Sequence, residues 1–145
     1  MKNHLILLFL LLPLLSFGQQ KKKIFLDADT ANEIDDLFAI CRALIEPSWE
    51  ITTLSAAHWQ TSQWAEPQSM ELSYRLNSVL LGHLSMNVKT KRGGVARMFD
   101  WGDQAQHSAA AYEIIKQAKA MPEGEKLTVI TLGAMTNVAL SLIHI

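Results

Sequence analysis

Ile24-Phe25-Leu26-Asp27-Ala28-Asp29-Thr30-Ala31-Asn32-Glu33-Ile34-Asp35-Asp36-Leu37-Phe38-Ala39-Ile40 passes from a strand pattern to a helix pattern within 17 residues. It opens on three consecutive apolar residues where a strand exposed on one face would alternate, so Ile24-Phe25-Leu26 reads as a strand buried on both faces. From Asp35 onward Leu37, Phe38, Ile40, Cys41, Leu44 and Ile45 recur at the three-to-four spacing of a helix, which Pro47 ends. The rest of the chain repeats this alternation. Residues 50–54 and 87–90 read as strands, 70–81 as a helix closed by Gly82, and 91–103 as a long loop around Gly93-Gly94 and Gly102. Ser108 caps a helix over 109–120, Pro122-Glu123-Gly124-Glu125 turns the chain, and 127–132 is another continuous apolar strand, with a helical stretch beginning at Thr136. Strands separated by helices predict an α/β fold with a mostly parallel sheet, helices on both faces and right-handed crossovers.

Composition narrows the function classes. Among 145 residues, 13 Lys+Arg stand against 14 Asp+Glu, so there is no broad basic field for nucleic acid. A single cysteine builds neither an internal disulfide nor a multi-thiolate zinc site, and Cys41 reads as a buried apolar residue on the first helix. At the front, Met1-Lys2-Asn3-His4 leads into an apolar run over 5–15, broken only by Pro13, and then Ser16-Phe17-Gly18-Gln19. That pattern predicts a secretory signal peptide over 1–19, because the run falls short of the roughly 20 residues a spanning helix needs and small residues follow it. No cysteine ends the run to accept lipid, so the expected product is exported, periplasmic or secreted, with no stable membrane anchor. At the other end Leu140-Ser141-Leu142-Ile143-His144-Ile145 coincides with one reading frame of a common transposon-end sequencing adapter, CTGTCTCTTATACACATC. Residues 140–145 are therefore read as a non-native tail in which His144 has no functional weight, and residues 20–139 as the N-terminal part of one longer domain.

Four carboxylates, Asp27, Asp29, Asp35 and Asp36, fall within ten residues at the carboxyl end of the first strand and the start of the first helix. Ligands of open α/β sheets bind there. Asp27 and Asp29 lie two apart on extended backbone and share a side, and the intervening loop brings Asp35 and Asp36 back over the strand end. Like charges so close destabilise one another unless a cation or a raised pKa relieves them, and an oxygen-only cluster suits Ca²⁺ or Mg²⁺ better than zinc. The bland alternative makes Asp35 and Asp36 first-turn helix acids and Asn32 the N-cap.

These residues resemble a known family. The segment 24–40 is similar to the N-terminal aspartate fingerprint of the inosine–uridine type nucleoside hydrolases. Leu127-Thr128-Val129-Ile130-Thr131-Leu132-Gly133-Ala134-Met135-Thr136-Asn137-Val138-Ala139 is similar to the family's later strand-loop-helix motif ending in Gly-x-x-Thr-Asn. The resemblance implies a Rossmann-like nucleoside hydrolase fold of which this is the N-terminal half, with Ca²⁺ as cofactor (Mg²⁺ the alternative) held by Asp29, Asp36 and the backbone carbonyl of Leu132. It further implies that Asp35 holds ribose hydroxyls, that Asp27 and Asn137 support the site, and that Asp29 is the base that deprotonates water. The N-glycosidic bond of a ribonucleoside then breaks through an oxocarbenium-like state to give ribose and free base, as in nucleoside salvage. The implied partner is a small nucleoside, and the full-length protein is expected to be a homo-oligomer.

The chain departs from that pattern in three places. Thr30-Ala31-Asn32-Glu33-Ile34 is two residues longer than the family's Pro-Gly-x, so Asn32 or Glu33 faces the sugar unless Asn32 is a cap. The family's Gly-Asn after the second strand is replaced by Ala56-Ala57-His58-Trp59, which makes His58 the candidate for the displaced ribose contact. The leaving-group acid and last metal aspartate belong to a C-terminal half this sequence does not contain, so the fragment alone is expected to be inactive. Two rival readings stand beside this one. Residues 24–30 also resemble the first motif of haloacid-dehalogenase-type phosphatases, with Asp27 as nucleophile, Asp29 as acid/base and Mg²⁺ as cofactor. The carboxylates can otherwise hold Ca²⁺ for structure alone, in a non-catalytic module. Trp59 and Trp64 offer aromatic faces to a base or simply cover core, and Lys91, Arg92 and Arg97 contact a phosphate or are solvated. No Gly-x-Gly-x-x-Gly follows a strand, so no dinucleotide is expected.

Overall fold

A computed structural model describes residues 20–60, 65–101 and 106–143; the expected signal peptide (1–19), Trp64 and His144 lie outside the described residues. In chain order the elements are β1 (Lys22–Ala28), α1 (Asp35–Leu44), β2 (Trp49–Ala56), α2 (Ser69–His83), β3 (Lys89–Lys91), a 3₁₀ turn (Met98–Trp101), α3 (Ala109–Lys119), β4 (Thr128–Thr131) and α4 (Thr136–Ile143). The four strands form one sheet in the order β3-β2-β1-β4, and every pairing is parallel. This is the α/β arrangement with a parallel sheet that the alternating runs predict, and it is Rossmann-like, as the resemblance implies.

Helices cover both faces, and β1 shows why. Its residues alternate between them, as the two-residue period of a strand demands. Leu26 and Ala28 face Ile40, Ala43 and Leu44 of α1 and Leu81 of α2, while Phe25 faces Ala110 and Ile114 of α3 and Val138 of α4. With both sides apolar, β1 is the central strand of the fold, and each of its large side chains contributes about 1.5–3 kcal/mol of burial. The chain runs outward from β1 through β2 to β3 under α1 and α2, then returns across the other face through α3 to β4 on the far side of β1. Strand order therefore reverses between β1 and β4. Beyond the carboxyl ends of those two strands the chain leaves in opposite directions, which opens the crevice where α/β sheets of this kind bind ligands.

Several local expectations are corrected. Ile34, not Asn32, occupies the N-cap position of α1, and no side chain caps that helix. Helix α2 runs through Gly82 to His83 and is closed by Ser85, whose φ of 53° is left-handed. Met86 N–H donates to Leu81 C=O at 3.0 Å and Ser85 N–H to Gly82 C=O at 3.1 Å, the paired bonds of a Schellman motif, with Met86 packed on the core containing Leu81. Cys41 is half-buried, so it is a flank of the core and not part of it. Helix α4 continues into the expected tail, with Leu140 and Ser141 buried and Leu142 and Ile143 exposed. Among the described residues no helix is long and apolar enough to cross a membrane.

Candidate functional site

Backbone pairing builds the site before any side chain does. Leu132 N–H donates to Asp27 C=O at 2.8 Å and Ala57 N–H to Ala28 C=O at 2.8 Å, so the ends of β4 and β2 are locked on either side of the end of β1. The two motifs, residues 24–40 and 127–139, meet there.

Asp27 is fully buried at 0% exposure. Ser55 Oγ donates to its Oδ1, and Asn137 Nδ2 donates to both carboxyl oxygens at 3.0 and 3.2 Å. Burial raises its pKa from 3.8 to about 6; the Ser55 and Asn137 donors pull the other way, and the charge of Asp29 adds a smaller upward push. Asn137 is a hub of the whole edge. Its Nδ2 also reaches Ala56 C=O at 3.2 Å, while its Oδ1 accepts from Gly94 N–H at 2.9 Å and from Ser108 Oγ at 2.8 Å. Ser108 in turn accepts from Ala111 N–H at 3.1 Å, which makes it the N-cap of α3 as predicted. One side chain thus ties β1, β2, the Gly93-Gly94 loop and α3 together. Gly93 has no room for anything larger, since an added Cβ would lie 2.0 Å from Ala56 O and 2.4 Å from Asn137 Nδ2.

Asp29 and Asp36, each 7% exposed, are brought into hydrogen-bond contact by the turn that joins β1 to α1. The pKa of Asp36 rises from 3.8 to about 7, through burial first, then the adjoining Asp29 carboxyl, then the charges of Asp29, Asp35 and Glu33. Asn32 N–H closes the turn on Asp29 C=O at 2.7 Å, and Asn32 Nδ2 donates to Asp29 Oδ2 at 3.3 Å. Asn32 therefore orients Asp29. On the opposite side Gly133 presses against the same carboxylate, as a Cβ there would sit 2.4 Å from Asp29 Cγ. Asp35 stays exposed on the first turn of α1.

The donor set can be tested against a divalent cation. Among the described residues no group of three His, Cys, Asp or Glu side chains is arranged to hold a metal. Asp29 and Asp36 nevertheless fit a hard cation in chemistry, since a positive charge between them would relieve the repulsion of two adjoining carboxylates; backbone oxygen such as Leu132 C=O would have to complete its shell.

Other predicted residues fall elsewhere. His58, expected at the sugar, is 1% exposed; its Nε2 lies 2.8 Å from Thr136 Oγ1 and its Nδ1 accepts from Gln60 N–H at 3.2 Å. An Nδ1 that accepts leaves the proton on Nε2, so the ring is a buried tie between the end of β2 and α4. Trp59 is buried cover, not an open stacking face. Arg92 is engaged by Glu71 at 2.7 and 3.2 Å and lies 3.8 Å over the Tyr74 ring, and Arg97 lies over Phe99, so neither is set out for a phosphate. Three inward residues of α2 escaped the sequence reading: Ser69, Ser73 and Asn77, four apart and fully buried beneath the loops that follow β1 and β2. Their spacing was the available signal, but polar residues at helical spacing ordinarily mark a solvated face.

No family model matches the chain, and no curated protein matches it.

Proposed function

We propose that this chain carries the water-activating carboxylate half of an exported, calcium-dependent hydrolase of ribonucleoside N-glycosidic bonds, related to the inosine–uridine type nucleoside hydrolases. The observation that carries the reading is the meeting of the two motifs at the switch point, where Asn137 holds Asp27 and Gly133 backs Asp29 against Asp36. Calcium, when bound, supplies positive charge that keeps both carboxylates ionised and lowers the pKa of a neighbouring water. The chain's own groups do the rest. Asp29, held by Asn32 on one side and hemmed by Gly133 on the other, takes the proton of the attacking water at a fixed position. Asp36 stands beside it, and Asp35, exposed at the mouth, is free to accept bonds from ribose hydroxyls. Asp27 stays inside as a buried acceptor that aligns the strand end through Asn137.

The phosphatase alternative needs Asp27 open to a phosphoryl group, yet that carboxyl is fully buried with both oxygens occupied. This geometry favours the glycosidic reading. The test is ribose release from purine and pyrimidine nucleosides by the protein expressed from its complete gene, with and without a calcium chelator, beside Asp29→Asn. Calcium-dependent release that disappears in the variant supports the proposal. Phosphatase activity with Mg²⁺ would move the assignment to the rival, and calcium binding without either activity would leave a structural calcium module.

A further inference from the structure

The turn bearing the carboxylates is two residues longer than the pattern it resembles, and its extra length is held down by α2. Thr30, 1% exposed, donates its hydroxyl to Asn77 Oδ1 at 2.6 Å across 47 residues of sequence. Asn77 Nδ2 donates in turn to Ser55 C=O at 3.3 Å, and Ser55 Oγ bonds Asp27. One helical turn away Ser73 Oγ accepts from Ala31 N–H at 3.5 Å, and a turn further Ser69 Oγ accepts from Trp59 N–H at 3.4 Å. Placing two serines and an asparagine on the inward stripe of a helix forgoes apolar contact and is costly unless each finds a partner. Here the partners belong to the loops that leave β1 and β2, so the stripe acts as a polar spine under the carboxyl edge of the sheet.

Thr30 directly follows Asp29. With its side chain pinned to Asn77 and Asn32 N–H closed on Asp29 C=O, the backbone on the downstream side of Asp29 has one course, and that course delivers Asp36 to the Asp29 carboxyl. We propose that Thr30 and Asn77 are positioning residues, whose hydrogen bond fixes the lengthened turn so that Asp29 and Asp36 are held together as a pair. The inference rests on the hydrolase reading only for what the pair then binds.

The experiment compares the full chain with Thr30→Val, which keeps the shape and removes the hydroxyl, and Thr30→Ser, which keeps the hydroxyl. Amide hydrogen exchange and calorimetric Ca²⁺ titration are read on each. Loss of one net hydrogen bond predicts that Thr30→Val speeds exchange at Asn32 and its neighbours by about tenfold and weakens Ca²⁺ binding by about the same factor. Amides of β1 and β2 are expected to stay protected, and Thr30→Ser to match the parent in both readouts. Ser73→Ala is the second variant should Thr30→Val fail to fold, with faster exchange expected at Ala31 alone. Unchanged exchange in the turn, or a uniform loss of protection across the sheet, overturns the positioning role. A parent chain that binds no Ca²⁺ while Thr30→Val still loosens the turn leaves the positioning role standing, and the hydrolase reading then falls only if ribose release is also absent.

Discussion

Replacing Asn137 by aspartate keeps the size of the side chain and its Oδ1, which accepts from Gly94 and Ser108, and changes only the group that donates to Asp27 and Ala56. Two carboxyls then lie about 3 Å apart in a fully buried site, and one of them must keep a proton. A carboxyl whose folded pKa exceeds its unfolded value of about 3.9 holds extra protons in the native state, so stability falls as pH rises from that value to the folded pKa. Keeping the proton costs about 1.4 kcal/mol per pH unit above 3.9, hence about 1.5 kcal/mol at pH 5 and about 5.7 kcal/mol at pH 8. Loss of the bond to Ala56 C=O adds about 1 kcal/mol at either pH. Loss of the Asn137 donor, which pulls the pKa of Asp27 down, acts in the same direction. Against a total stability of about 5–15 kcal/mol, Asn137→Asp is expected to fold at pH 5 and to be largely lost at pH 8. Urea unfolding followed by tryptophan fluorescence and circular dichroism at the two pH values measures this. The same destabilisation at both would refute the argument that Asn137 donates to a buried Asp27.

Gly133→Ala is expected to weaken Ca²⁺ binding by at least about tenfold, because the new Cβ must displace the Asp29 carboxylate 2.4 Å away; calorimetry with unaltered affinity would contradict it. Calcium must displace the proton that Asp36 retains up to about pH 7, so affinity should fall by up to about tenfold per unit below that pH and level off above it. Titrations in two buffers of different ionisation enthalpy would register the released proton, and a flat pH profile would count against a proton held on Asp36. Ser85→Gly should stabilise the protein by about 0.5–1 kcal/mol, since glycine adopts the φ of 53° without Cβ strain, and a melting temperature that fails to rise would show that Ser85 carries no strain.

The order and location of the elements were legible in the sequence because each rests on a local rule. Ile24-Phe25-Leu26 has no polar face to offer, so it becomes the central strand; Leu37, Ile40 and Leu44 share one side of a helix; Ser108 precedes a helix whose first N–H groups need an acceptor. The gathering of acids at the end of β1 was equally visible, since Asp27, Asp29 and Asp36 are close along the chain. Less legible were residues whose role depends on what faces them. Asn32 has the residue type of a cap, yet its amide serves Asp29. His58 has the residue type of a ligand, yet both ring nitrogens are spent on Thr136 and Gln60.

Local patterning is enough to give the alternation of strands and helices, the parallel sheet that follows from it, and the place where carboxylates would collect. Tertiary structure alone decided which of those carboxylates are buried, paired or open: Asp27 sealed under Asn137 from 110 residues away, Asp36 turned in against Asp29, Asp35 left in solvent. It also placed Ser69, Ser73 and Asn77 under the site as its support. The reason is physical. Backbone period and apolar patterning act within a few residues, whereas desolvation and hydrogen bonding depend on groups that folding brings together from distant parts of the chain.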